Sequence, residues 1–366
     1  MTTRTRTAST RDATLDIARG IAITMIVLGH VLRGLASAHI LDRHAVGYID
    51  TDRLLYSVHL TVFAFISGLF VARAVDRDGV GRYLRSRDVL FIYVYVVWSL
   101  VQGVVKLAAG ALVNSPTSIT STLDLLHPDG QLWFLPWLVA VSTVAALVRP
   151  WRSRAVMIAS IVGALVVSIA GWGTDLGVAL VQGLGIWVFF FLGVCIGARR
   201  VIEFIARVRM PVVGVVALVG TVAFVALVFG TTEGTPTPSA GDHHGVVAVA
   251  LGLLTTLVGL VAVIAVSRLL AAVSWLTWVG AVGRRTLEIF LASITFASGT
   301  RIVLSHLGVQ DPVVHVVVGT LAGVVGPILL GIVLERLRFP WLFTAPSRLT
   351  GTRASVTPRA DVPAHR

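Results

Sequence analysis

A chain of 366 residues in which 56% are hydrophobic and only 13% charged, with mean hydropathy +0.88, is too apolar for a water-soluble domain, where about half the residues at most are apolar. Its solvent is a bilayer. The net charge of +12 rests almost wholly on arginine, Lys106 being the only lysine, and such a surplus suits either nucleic acid or the cytoplasmic loops of a membrane protein, so its placement decides.

Crossing roughly 30 Å of hydrocarbon takes about 18 or more mostly apolar residues. The opening segment, 1–13, is polar and basic for longer than a signal peptide's charged region, and no cleavage pattern follows it, so the first apolar run is expected to stay as a span. About ten spans follow, over 15–36, 54–75, 89–113, 131–149, 155–172, 176–198, 211–230, 246–267, 285–305 and 313–335. The single Cys195 falls in the sixth and reads as a small buried hydrophobe. Between the seventh and eighth, TTEGTPTPSAGDHHG is a flexible connector, in which the adjacency of His243 and His244 does not make a metal site. Between the eighth and ninth, LLAAVSWLTWVGAVGRR is too short to cross comfortably, and Trp275 and Trp278 suit an interfacial segment or an extra half-span. Residues 346–366 read as a disordered cytoplasmic tail, leaving 14–345 as one transmembrane domain. No internal repeat is visible, which weakens a transporter built from inverted halves.

Assigning the connectors alternately to the two sides separates the charges. One side holds Arg4, Arg6 and Arg11, Arg73 to Arg87, Arg149 to Arg154, Arg199 to Arg209, Arg284, Arg285 and the tail from Arg336. The other holds Arg33, Arg43, Arg53 and Arg301 among acidic residues such as Asp42, Asp50, Asp52, Asp124, Asp129 and Asp311. That asymmetry predicts an all-α polytopic helical bundle with both termini in the cytoplasm, and explains the charge without nucleic acid.

An ionisable side chain inside a span is a functional candidate, since burying it near the membrane centre costs about 2.5–3.5 kcal/mol on insertion scales. Five qualify: Arg19 and His30 in span one, His59 in span two, Lys106 in span three and Glu288 in span nine. Arg19 and His30 are eleven residues apart, nearly three whole turns, so one face carries both with a rise of roughly 16 Å between them. The topology puts Arg19 at the inner boundary with Glu288, and His30, His59 and Lys106 in the outer half. Arg19 and Lys106 also suit snorkelling to headgroups, Glu288 could pair with Arg284, and His30 could be a packing histidine without a short route to water. Chemically, neutral histidine is the side chain best suited to take a proton from a hydroxyl near neutral pH, and arginine binds phosphate bidentately. One helix thus presents a phosphate-binding group inside and a general base further out. No metalloprotease helix, paired-cysteine motif, nucleophile elbow or Walker loop is present.

The stretch LDIARGIAITMIVLGHVLRGL, with Arg19 and His30 spaced by ten residues, closely resembles the opening of the acyltransferase 3 family of integral membrane acyltransferases. DRLLYSVHLTVFAFISGLF, with His59, Phe65, Ser67 and Gly68, resembles that family's second span, particularly in its fucose 4-O-acetylase-like subgroup, and GQLWFLPWL, with Trp133 and Phe134, resembles a later WFL segment. GRRTLEIFLAS resembles a late G-x-x-S-L-x-I-Y-x-x-H element, but has Thr286 for Ser, Phe290 for Tyr and Ser293 for the final His. The resemblance covers about 12–345. It implies about ten helices, acyl-CoA (most often acetyl-CoA) as donor on the cytoplasmic side, no metal, and O-acylation of a carbohydrate or related small molecule by a multi-pass plasma-membrane enzyme. On this reading His30 is the general base and Arg19 holds the donor phosphate or orients the site. His59 and Trp133 serve the acceptor, and Glu288 and Lys106 are further substrate-binding candidates. The rival readings are an exporter of a small polar molecule using the same polar path, and a non-catalytic membrane scaffold, which leaves the pairing of Arg19 with His30 on one face without a reason.

Overall fold

The computed structural model describes residues 13–114, 117–174, 177–230, 237–238 and 245–351. Among them every regular element is helical and no strand forms. His243, His244, the opening residues and the tail beyond 351 lie outside the described residues.

Helix α1 (Ala13–Ser37) is buried along most of its length, with Ala18, Ala22, Ile23 and Val27 fully shielded. The second apolar segment is three helices where hydropathy predicts one span: α2 (Val46–Tyr56), α3 (His59–Leu69) and α4 (Val71–Asp78). The first break lies at Val58 (φ −133°, ψ −31°), and beside it Ser57 Oγ donates to the Arg53 carbonyl at 2.7 Å, a back-bond that bends helices. Helix α5 (Val80–Ala109) starts after Gly79, whose φ of +77° favours glycine. Its 30 residues exceed the hydrocarbon thickness, so an end carrying Arg82, Arg85 and Arg87 projects beyond it.

After the short α6 (Ile119–Leu123), a 3-10 turn over Gly130–Trp133 leads into α7 (Phe134–Val148). The spans expected over 155–172 and 176–198 are shorter than predicted. They are α8 (Arg154–Ala170, 17 residues), which ends two residues early, and α9 (Trp187–Ile196, 10 residues), which is cut short because residues 177–183 form turns instead of helix. Then come α10 (Ala198–Arg207), α11 (Met210–Phe229), α12 (Val246–Leu270), α13 (Thr277–Arg284), α14 (Thr286–His306) and α15 (Pro312–Arg336). Helix α15 begins where its sequence dictates. Asp311 caps it, accepting from the amides of Val313 at 2.7 Å and Val314 at 3.3 Å, and Pro312 occupies the first turn, where a missing N–H costs nothing. The first residues of the expected tail form a helical turn, α16 (Ser347–Thr350), to whose Leu349 carbonyl Arg85 donates at 3.3 Å.

Eight of these helical segments are long and apolar enough to cross a membrane. The shielding is uneven, and that sorts them. Helices α1, α3 and α9 form the interior, whereas α11 and α15 turn Leu218, Val222, Leu321 and Leu329 outward, each more than half exposed, as lipid-facing helices do. The short α13 lies along α1, with its own Trp278 and the preceding Trp275 exposed. Small residues make that contact possible: a Cβ at Gly20 would strike the Val279 carbonyl, and one at Gly283 the Asp16 carbonyl. Helices α3 and α9 meet in the same way, through Gly68 against the Phe190 carbonyl and Gly193 against the Phe65 carbonyl.

Candidate functional site

The break between α2 and α3 builds one side of the site. Interrupting a helix frees carbonyls that lipid cannot satisfy, so side chains must. The Leu55 carbonyl is taken by His59 Nδ1 at 2.5 Å. A carbonyl only accepts, so Nδ1 carries the proton and the Nε2 lone pair is left available. The other side comes from α1, where His30 and Arg33 stand one turn apart on the same face.

Tyr56 lies between the histidines, its ring edge-on to His59 (centroids 4.6 Å apart) and to His30 (6.4 Å). The Arg33 guanidinium carbon rests 3.3 Å from the centre of the same ring, and its Nε and Nη2 donate to the two oxygens of Asp52 at 2.7 and 2.8 Å. A planar fork of this kind is held by stacking and by bidentate pairing together. Tyr56 approaches α1 closely because residue 29 is glycine; a Cβ there would lie 2.9 Å from Tyr56 Cε2.

These groups open onto a cavity of about 350 Å³ whose remaining wall includes Gln131, Trp133, Gln182 and Phe290. Gln131 Nε2 donates to the Phe290 carbonyl at 2.8 Å, which fixes the amide and leaves its buried Oε1 without a partner among the described residues; the same holds for the buried Tyr56 hydroxyl. Trp133 packs against Gly183, whose φ of +86° and lack of a Cβ admit the indole. The cavity thus joins the imidazole of His30, a second histidine of fixed tautomer, a guanidinium, a phenol and an amide oxygen. Such a set can accept a proton from a hydroxyl and stabilise charge developing on a carbonyl oxygen.

Of the residues singled out in the sequence, His30, His59 and Trp133 come together in this cavity. Arg19 does not line it. It lies toward the other end of α1, 3.8 Å from Asp16, which Arg284 approaches at 3.7 Å, and 5.3 Å from the Phe70 ring. Lys106 is ion-paired with Asp129, beside the lining residues Pro128 and Gly130 but outside the lining itself. Glu288 is also outside it. Its partner is Arg285 at 3.0 Å, not the Arg284 expected from helical spacing, and Arg285 bonds Glu335 at 2.7 Å, a contact that pushes the guanidinium pKa above its ordinary value. Ser293, standing where the resembling motif has histidine, is buried with its hydroxyl unpartnered and is not among the lining residues.

The sequence reading missed Arg33, Tyr56, Gln131 and Gln182. The charge pattern places Arg33 in an outer connector, yet its spacing from His30 is a helical one, and α1 runs on to Ser37. Gly29→Ala is expected to displace the Tyr56 ring and lower activity roughly ten- to hundredfold, the scale of small misplacements in a catalytic site. Membrane level and melting temperature of that variant should stay close to native, and unaltered turnover would show that Tyr56 need not be held there.

Comparison with known proteins adds three findings. The family model described as "Acyltransferase domain" matches residues 12–332. Two curated relatives are similar over 144 residues, about a third of their own length: nodulation protein NolL of Sinorhizobium fredii strain NBRC 101917 / NGR234 at 29% identity, covering 37% of this chain and 36% of the relative, and NolL of Mesorhizobium japonicum strain LMG 29417 / CECT 9101 / MAFF 303099 at 26%, covering 37% and 35%. No solved structure matches.

Proposed function

The chain belongs to the acyltransferase-domain family and is an acyltransferase, and from that premise we propose that it moves an acyl group, acetyl foremost, from acyl-CoA to a hydroxyl of a carbohydrate or related small molecule at the plasma membrane. What carries this reading is the cavity that gathers His30, His59, Tyr56 and Arg33 around one space.

In the proposed reaction the acceptor hydroxyl loses its proton to His30 as its oxygen attacks the thioester carbonyl carbon. The carbon–oxygen bond forms, the carbon–sulfur bond breaks, and the leaving thiolate takes up the proton, so histidine returns to its neutral form. Charge developing on the carbonyl oxygen is met by the Tyr56 hydroxyl and by Arg33, which Asp52 and the Tyr56 ring hold in place. The indole of Trp133 and the unpartnered Oε1 of Gln131 suit a sugar ring, which offers an apolar C–H face and hydroxyl donors. The fucose-like acceptors of the resembling subgroup fall within that class. Arg19 and Arg284 share the carboxylate of Asp16 and leave net positive charge near the cytoplasmic end, where the phosphates of the donor would lie.

Purified protein supplied with acetyl-CoA and a mixture of mono- and oligosaccharides is expected to release free thiol in step with acetyl ester found by mass spectrometry. Arg19→Ala is expected to raise KM for acetyl-CoA about tenfold, as loss of one charged phosphate contact does, with kcat much less affected. Solute flux across proteoliposomes in the absence of acyl-CoA, with no thiol release in its presence, would overturn the reading.

A further inference from the structure

A second, larger cavity of about 710 Å³ lies away from the histidines, in a groove between α10, α11 and α12 with Phe65 of α3 on its inner side. Its walls are almost wholly apolar, and Phe204, Val212 and Val261 on them are 69%, 50% and 45% exposed. Two lining side chains break the pattern. Arg200 of α10 and Arg268, near the C-terminal end of α12, both border the groove, and neither has an ion-pair partner among the described residues. The one polar contact of Arg200 is a long bond to the Cys195 carbonyl at 3.4 Å. Glu203, the carboxylate of α10, is committed to Arg199 at 2.7 Å. Arg207 and Arg209, in the connection to α11, add further positive charge.

We propose that this groove is a binding site for one anionic phospholipid, its acyl chains along the valine and phenylalanine walls and its phosphate between Arg200 and Arg268. An apolar trough would accept any lipid tail. Two unpaired guanidinium groups bordering it select the headgroup, because arginine grips phosphate oxygens with a planar fork and gains most from a lipid bearing net negative charge. The groove also abuts the α3–α9 contact through Phe65, so an occupant braces the helix that begins at His59. The proposal is independent of the acyl-transfer reading and is tested without an activity assay.

The full-length protein in detergent is incubated with phosphatidylglycerol or with phosphatidylcholine of the same acyl chains, and bound lipid is counted by native mass spectrometry beside a thermal melt. The native chain is expected to retain one phosphatidylglycerol with about tenfold or greater preference, each arginine near an anionic group contributing about a factor of five, and to melt higher with it. The Arg200→Gln/Arg268→Gln chain is expected to bind the two lipids alike, and Arg268→Gln alone to lose about a factor of five. Val212→Trp, which fills the groove from an exposed position and leaves both arginines, is expected to release either lipid. Equal retention of both lipids by the native chain, a preference that survives the double substitution, retention by Val212→Trp, or a rise in melting temperature with inorganic phosphate alone would each overturn the site.

Discussion

Replacing His30 with alanine is expected to abolish measurable acyl transfer, a loss of about 10²–10⁴-fold in kcat, while the protein still inserts and melts near the native temperature. The expectation follows from the different situations of the two histidines. His59 is almost fully buried and spends Nδ1 on the Leu55 carbonyl, so its removal leaves that carbonyl only the longer 3.3 Å bond from the Val58 amide and opens a void at a helix break, at a cost of about 1–3 kcal/mol of stability besides any catalytic loss. His30 lines the cavity, and its closest ring neighbour is the edge of Tyr56, so truncation there removes a proton acceptor and little scaffold. The check is single-turnover acetyl transfer by His30→Ala beside His59→Ala, with melting curves for both. His30→Ala turning over within threefold of native would remove the histidine from the mechanism, whatever happened to His59→Ala.

The second large effect is on assembly. Gly193→Leu is expected to prevent accumulation of folded protein, and Gly193→Ala to lower the melting temperature markedly. Gly68 and Gly193 are reciprocal: each has the carbonyl of the facing helix where its Cβ would stand, at Phe190 and Phe65 respectively. A methyl placed there meets backbone and not the flexible end of a side chain, so two helices must separate. Overpacking ordinarily costs about 1–3 kcal/mol, and backbone on both sides puts this case at the upper end or beyond. Fluorescence-detected size-exclusion chromatography with a temperature series reads the effect directly. A Gly193→Leu chain that elutes and melts as the native one does would show that α3 and α9 are not held at this distance. Partial separation would also move His59, which opens α3, so the alanine variant is expected to lose activity below its melting temperature.

Much of this architecture was legible in the chain because burial in lipid makes hydropathy a strong signal. Of the about ten spans it suggests, eight stand among the described residues as helices long and apolar enough to cross, and the short segment after α12 is the short helix α13. The break at Val58 does not follow from it, since neither proline nor glycine marks it and the Ser57 hydroxyl bond to the Arg53 carbonyl beside it leaves apolar periodicity unchanged. The site divides along the same line. His30 and His59 stand out because an ionisable group in hydrocarbon requires a reason, and Trp133 through its place in a resembling segment. Gln131 and Gln182 carry no charge and raise no such flag, and Tyr56 is an ordinary residue near an interface. Lys106 and Glu288 raised the flag and are met by Asp129 and Arg285 instead of by the cavity. Spacing alone does not reveal Asp129, which lies on a different segment from Lys106, nor Glu335 of α15, to which the i, i+3 pair of Arg285 and Glu288 extends.

The bond from His59 to the Leu55 carbonyl places the choice of tautomer in the course of the chain and not in any side chain. A substitution scan would therefore report position 55 as tolerant of other apolar residues, because none of them removes the carbonyl. A single-residue insertion between 55 and 59 changes no side chain of the site, yet it would turn the imidazole away from its acceptor and be as damaging as deleting the histidine. In a lineage of such proteins, the length of this short junction should vary less than its composition.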